Sequence, residues 1–165
     1  MACDLTRSRG RQCKDVLGGN SYLYPYDYLI DPFTVVAGEG TAKNASLTEA
    51  FSYLLEGDNN TLEQVMDSTT NRVNTQTLSI QLSKMTAADN AEFNLLAASR
   101  APVVVKDKAG NYHALGITEG MVWNITSTTG GAKGDVPSYT ITATAEESEL
   151  APILDSSTVT AFLAV

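Results

Sequence analysis

His113 is the only histidine in this 165-residue chain, and Cys3 and Cys13 are its only cysteines. Nucleophilic catalysis by serine or cysteine needs a histidine placed as general base. His113 sits between Tyr112 and Ala114 in a stretch that reads as a hairpin strand, which suits a rim histidine better than a base. A structural zinc site takes about four ligands, and two cysteines with one distant histidine do not supply them. The run Gly130-Gly131-Ala132-Lys133-Gly134-Asp135 has a superficial likeness to a phosphate loop. It lacks the order G-x-x-x-x-G-K-[ST], and a strand pattern follows it instead of a helix. Glu146, Glu147 and Glu149 follow a strand pattern. A glycosidase sets its two acids across a cleft. Three adjacent glutamates read more simply as a solvated rim, with a cation site as the alternative. Tyr22, Tyr24, Tyr26 and Tyr28 alternate and would form a stacking platform on one strand face. Their neighbours Asp27 and Asp31 are acidic, so core or subunit-contact tyrosines are the better reading. These residues give no support for an enzyme, a cofactor or a metal.

Charge points to assembly instead. The first 14 residues carry Arg7, Arg9, Arg11 and Lys14 against Asp4 alone, and the rest of the chain holds 18 acids and 7 bases. A basic arm can dock on the acidic surface of a neighbouring copy, while an acidic body repels nucleic acid. Charged residues make up 18% of the chain, below the usual quarter. Thr, Ser, Asn and Ala fill the gap, as they do on large subunit contacts. The N-terminal stretch is polar and basic and does not read as a signal peptide, so Cys3 and Cys13 are expected as free thiols. No stretch approaches the roughly 20 apolar residues of a transmembrane helix, and no membrane partner is expected.

The expected organisation is a basic arm over residues 1–20 and one domain over residues 21–165. Glycines 10, 18 and 19 break any helix in the arm. Residues 21–36 are aromatic and β-branched, residues 37–46 read as a loop, and residues 47–56 and 61–68 fit helix or strand. Residues 69–75 read as a mobile polar loop. Residues 77–84 alternate Leu78, Ile80 and Leu82 with polar residues, so that strand has one wet face. One helix is expected over 87–99, with Thr86 as N-cap, Asp89 three residues on, and a stripe of Ala88, Ala91, Leu95 and Ala98. A meander follows, with strands over 102–107, 112–117, 121–126 and 138–145, a turn over 108–111 and a glycine-rich loop over 128–137. A last short strand is expected over 158–163. The fold class is mainly β, an antiparallel β-sandwich or barrel with one flanking α-helix.

Several segments also resemble a known family. These are Met1-Ala2-Cys3-Asp4-Leu5-Thr6, Cys13-Lys14-Asp15-Val16-Leu17-Gly18-Gly19 and Ser99-Arg100-Ala101-Pro102-Val103-Val104-Val105-Lys106-Asp107. Gly110-Asn111-Tyr112, Leu115-Gly116, the Gly130–Asp135 run and Tyr139-Thr140-Ile141-Thr142 extend the pattern. Together they resemble small virion proteins of tailed phages of Bacteroidetes-type hosts, crAss-like phages among them, of the kind assigned as tail tube proteins. The likeness covers the first 20 residues and about 76–150, while residues 21–75 depart from the pattern. It implies a tail-tube fold, hexameric rings stacked into a tube, and a place in the virion tail after synthesis in the host cytoplasm. The implied partners are further copies of the chain, other tail and connector proteins, and phage DNA that passes without specific binding.

On this reading Arg7, Arg9, Arg11 and Lys14 form the assembly arm, and Gln81, Ser83, Glu146 and Glu147 are the candidates for an acidic lumen. Two other classes compete with it. One is a different virion protein, such as a head-tail connector ring or a capsid-associated protein. The other is a small ligand-binding β-module that uses its exposed aromatics.

Overall fold

The computed structural model describes residues 8–10, 14–57 and 59–165. In chain order its strands are β1 (Asn20–Pro25), β2 (Phe33–Val36), β3 (Glu39–Lys43), β4 (Tyr53–Leu54), β5 (Thr61–Asp67) and β6 (Val73–Ser83). After helix α1 (Ala87–Ala98) come β7 (Val103–Asp107), β8 (Tyr112–Leu115), β9 (Val122–Thr128), β10 (Ser138–Glu147) and β11 (Ile153–Leu154), then helix α2 (Ser156–Leu163). One sheet has seven strands in the order β2-β3-β11-β8-β7-β1-β4, and the other has four in the order β5-β6-β10-β9. Neither sheet closes on itself, so the fold is sandwich-like and mainly β, with two helices.

Period-two patterning builds the core between the sheets. Leu23, Val103, Val105 and Leu115 from the large sheet join Leu78, Ile80, Tyr139, Ile141 and Ala143 from the small one. Trp123 completes the layer, and its indole Nε1–H donates to the Ala101 carbonyl at 2.9 Å. A second cluster covers the outer side of the large sheet, where Val104, Tyr112, Ala114 and Leu154 meet Tyr26, Phe33 and Phe162.

The helix at 87–98 starts as expected, with the Thr86 hydroxyl accepting from the Asp89 N–H at 3.1 Å. Its buried face differs from the expected stripe. Phe93 and Leu96 go inside, whereas Leu95 stays 68% exposed. The bulky side chains won over the small ones because Phe93 sets its ring edge-on to Tyr139, with centroids 4.7 Å apart.

Four local expectations are corrected. The segment 158–163 is not a strand but part of α2, so two helices flank the sheets. The β-branched Thr158, Val159 and Thr160 favour a strand locally. Asp155 overrides them by accepting from the Thr158 N–H at 2.7 Å as N-cap, and Phe162 buries against the large sheet. Residues 37–46 hold strand β3, which pairs with β2 through a tight turn at Ala37 and Gly38. Both have positive φ, 52° and 83°. A hairpin turn of this kind normally advertises itself as Asn-Gly, and Ala-Gly hides it. Residues 69–75 are not one loop, because β6 already begins at Val73. The tyrosine row also breaks. Pro25 ends β1, Tyr26 turns into the second cluster, and Tyr28 stands exposed with its hydroxyl donating to the Thr118 carbonyl.

Candidate functional site

The strand register of the small sheet assembles one broad polar surface. On β6 the residues Asn74, Gln76, Leu78, Ile80 and Leu82 face inward, so Thr75, Thr77, Ser79, Gln81 and Ser83 face outward. On β10 the inward set Tyr139, Ile141, Ala143 and Ala145 leaves Thr140, Thr142, Thr144 and Glu146 outward. Pairing then lines these up across all four strands. Thr61, Ser79, Thr142 and Asn124 form one row, and Glu63, Thr77, Thr144 and Val122 form the next. Gln81, Thr140 and Thr126 form another, and Val65, Thr75 and Glu146 lie toward the far end. The face contains the carboxylates Glu63, Asp67 and Glu146 and no Lys or Arg.

The four lumen candidates are not equivalent. Gln81, Ser83 and Glu146 lie on this outer face. Gln81 is held there: its Nε2 donates to Ser138 Oγ at 3.2 Å and its Oε1 accepts from Asn59 Nδ2 at 3.0 Å. Glu147 is one residue on from Glu146 and therefore points to the opposite side of the sheet. It is half-buried, and its Oε1 accepts from the Thr118 N–H at 3.0 Å. Reading Glu146 and Glu147 as a pair on one face is corrected by this alternation.

Behind the acidic end lies a polar network that sequence reasoning missed. Asn74 and Gln76 are buried to 0% and 1% exposure. Asn74 Nδ2 donates to Gln64 Oε1 and to the Glu149 carbonyl, each at 3.0 Å. Gln64 Oε1 also accepts from the Ala151 N–H at 2.8 Å, and Gln76 Oε1 accepts from the Gly116 N–H at 3.0 Å. Arg72 closes the end by donating to the Ser148 carbonyl at 3.0 Å and pairing with Glu149 at 3.2 Å. The signal in the sequence was the continuation of the Leu78-Ile80 alternation backward onto Gln76 and Asn74.

Among the described residues both edges of the small sheet are free. β5 and β9 are its terminal strands, each seven residues long. All neighbours within the sheet are antiparallel, so across four strands β5 and β9 run in opposite directions.

Of the arm residues, Arg9 and Lys14 are exposed and outside any regular element. Arg7 and Arg11 lie outside the described residues, as do Cys3 and Cys13. His113 Nε2 lies 3.0 Å from Asp107 Oδ2. That carboxylate also accepts from the Asn111 N–H at 2.8 Å and from Asn111 Nδ2 at 3.2 Å, so it serves the hairpin turn. Burial raises the Asp107 pKa, but the His113 and Asn111 bonds outweigh it and hold the carboxyl below its ordinary value. Asp67 is also held low, by the N–H and hydroxyl of Thr69. Among the described residues no three His, Cys, Asp or Glu side chains converge as a metal site. No described helix is long and apolar enough to cross a membrane. Comparison with protein-family models, with curated proteins and with solved structures finds no match for this chain.

Proposed function

We propose that this chain is the structural subunit of a bacteriophage tail tube, self-assembling into hexameric rings that stack into a conduit for DNA. The observation that carries the reading is the small sheet: a polar face free of basic residues, bounded by two edges of opposite direction that are unpaired among the described residues. An unpaired edge is a template for another strand. In a head-to-tail ring, β9 of one copy meets β5 of the next antiparallel, so every copy repeats the same alternation. Six copies join 24 strands. At about 4.8 Å per strand the wall is roughly 115 Å around, and strand tilt widens it further. Such a barrel encloses a channel, since 16–18 strands already do so in porins.

The Thr, Ser and Asn rows then line the channel, with Glu63, Asp67 and Glu146 toward one end. DNA binding draws its strength from Lys and Arg contacts that release phosphate counterions. A wall without cations offers none, and the genome passes without being held. In this reading the partners are copies of the same chain and other tail and connector proteins, the location is the virion tail, and no catalytic step or cofactor is involved. Electron microscopy with light scattering over a concentration series tests it. Rings or tubes are expected, and a monomer persisting at high concentration refutes the reading.

A further inference from the structure

Among the described residues the large sheet has a free edge of its own at β4, the terminal strand beside β1. The Phe51 N–H donates to the Pro25 carbonyl and the Leu55 N–H to the Ser21 carbonyl. Odd-numbered residues here therefore bond inward, and the main chain of Ser52 and Leu54 faces away from β1. Along this edge two hollows, of about 200 Å³ and 290 Å³, open between β4 and α1 and share Tyr53 and Glu92. The floor is apolar, with Phe51 at 47% and Leu95 at 68% exposure. Asp27, Asp89 and Glu92 line the hollows against the single cation Lys84, and none of the three carboxylates has an ion pair among the described residues. Glu92 accepts from the Tyr53 hydroxyl at 3.3 Å.

The chain contains a matching segment. Arg7, Arg9 and Arg11 alternate with Thr6, Ser8, Gly10 and Gln12. In an extended chain that period places all three guanidinium groups on one side and small or polar groups on the other. Adding an extended peptide to a sheet edge is a general recognition mode in which main-chain bonds give affinity and alternate side chains give specificity.

We propose that the free β4 edge and its groove along α1 dock the N-terminal arm of a second copy, with Arg7, Arg9 and Arg11 set against Asp27, Asp89 and Glu92. This rests on the reading of the chain as a self-assembling subunit. It also separates two jobs: β5 and β9 close the ring, while β4 receives the arm.

The test uses the full chain and a labelled synthetic peptide of residues 4–14, followed by fluorescence anisotropy. Peptide binding is expected to weaken by up to about tenfold in the Asp27→Asn, Glu92→Gln variant, as two ion pairs are lost. It should weaken again as salt screens the remaining charge, and a peptide with its three arginines replaced by serine should not bind. Equal affinity for the neutralised and unchanged chains overturns the proposal. Leu54→Cys gives a second readout through the native Cys13. A disulfide between differently tagged copies is expected, whereas a link confined to single chains at every concentration overturns the second copy as occupant. Microscopy keeps the two readings apart. Rings without peptide binding overturn the docking site alone, and peptide binding without rings overturns the ring.

Discussion

Gln76→Ala tests which way the small sheet faces. Gln76 is 1% exposed, and its Oε1 is the acceptor for the Gly116 N–H at 3.0 Å. Removing the amide leaves that N–H buried without a partner, at a cost of about 1–3 kcal/mol. Truncation also loses buried side-chain carbon, worth about 0.8 kcal/mol per CH₂. Together these give roughly 2–4 kcal/mol. For a domain of this size each kcal/mol lowers Tm by about 2–4 °C, so a drop of roughly 5–15 °C is expected. The control is the next residue on the strand. Thr77→Val keeps the β-branched shape on the outer face and should stay within about 0.5 kcal/mol of the unchanged chain. Denaturant unfolding followed by tryptophan fluorescence reads both, since Trp123 is buried in the same core. If Gln76→Ala matches the unchanged chain, or Thr77→Val costs as much, the inward and outward faces have been assigned backwards.

Glu146→Lys should leave the fold intact and convert the smooth face into one that retains DNA, measured by filter binding of assembled protein at low and high salt. Glu147→Lys should instead lower stability by about 1–2 kcal/mol, because the half-buried carboxylate no longer accepts from the Thr118 N–H. Gly120→Ala should be among the most damaging single changes. A Cβ there would lie 1.9 Å from the Arg100 carbonyl oxygen at a φ of +76°, and loss of soluble expression or a Tm lower by more than about 10 °C is expected. Asp107 is held below its ordinary 3.8 in the folded state. Its contribution to stability is therefore present above that value and fades as pH falls through the lower folded one. Asp107→Asn should flatten the acid limb of a pH–stability curve, and an unchanged limb would refute the role given to its hydrogen bonds.

Some of this was legible in the sequence because local pattern and tertiary demand agreed. The alternation from Thr77 to Lys84 and from Ser138 to Ala145 fixes two strands and their wet faces, and the structure keeps both. Thr86 announces its helix because an N-cap is a local interaction. Where local preference and packing diverged, the pattern misled. Thr158, Val159 and Thr160 look like a strand, and only the Asp155 cap together with the pocket for Phe162 makes them a helix. The stripe of alanines on α1 has the right period, but the burial follows Phe93 and Leu96. Glu146 and Glu147 are adjacent in sequence and so invite grouping, although a strand separates neighbours onto opposite faces. The register that brings Thr61, Ser79, Thr142 and Asn124 into one row depends on pairing between residues up to 63 positions apart, Ser79 with Thr142, which no local window contains.

Charge placement ties the two proposed interfaces together. Acids on the polar face sit at the end of the sheet shared with Glu147, Glu149 and Arg72, while the rows through Gln81, Thr140 and Thr126 carry no formal charge. A ring built from these copies is therefore polar along its axis, with one acidic mouth. Such a ring gains little from stacking mouth to mouth, where like charges meet within a screening length of about 8–10 Å. Stacking in one direction avoids that repulsion. An arm docked in the groove of a further copy would then fix the direction, because that groove borders Ser83 and Lys84, at the end of the sheet away from Asp67 and Glu146. Neutralising Asp27 and Glu92 should thus shorten tubes while leaving single rings closed, whereas blocking the β9 edge should abolish both.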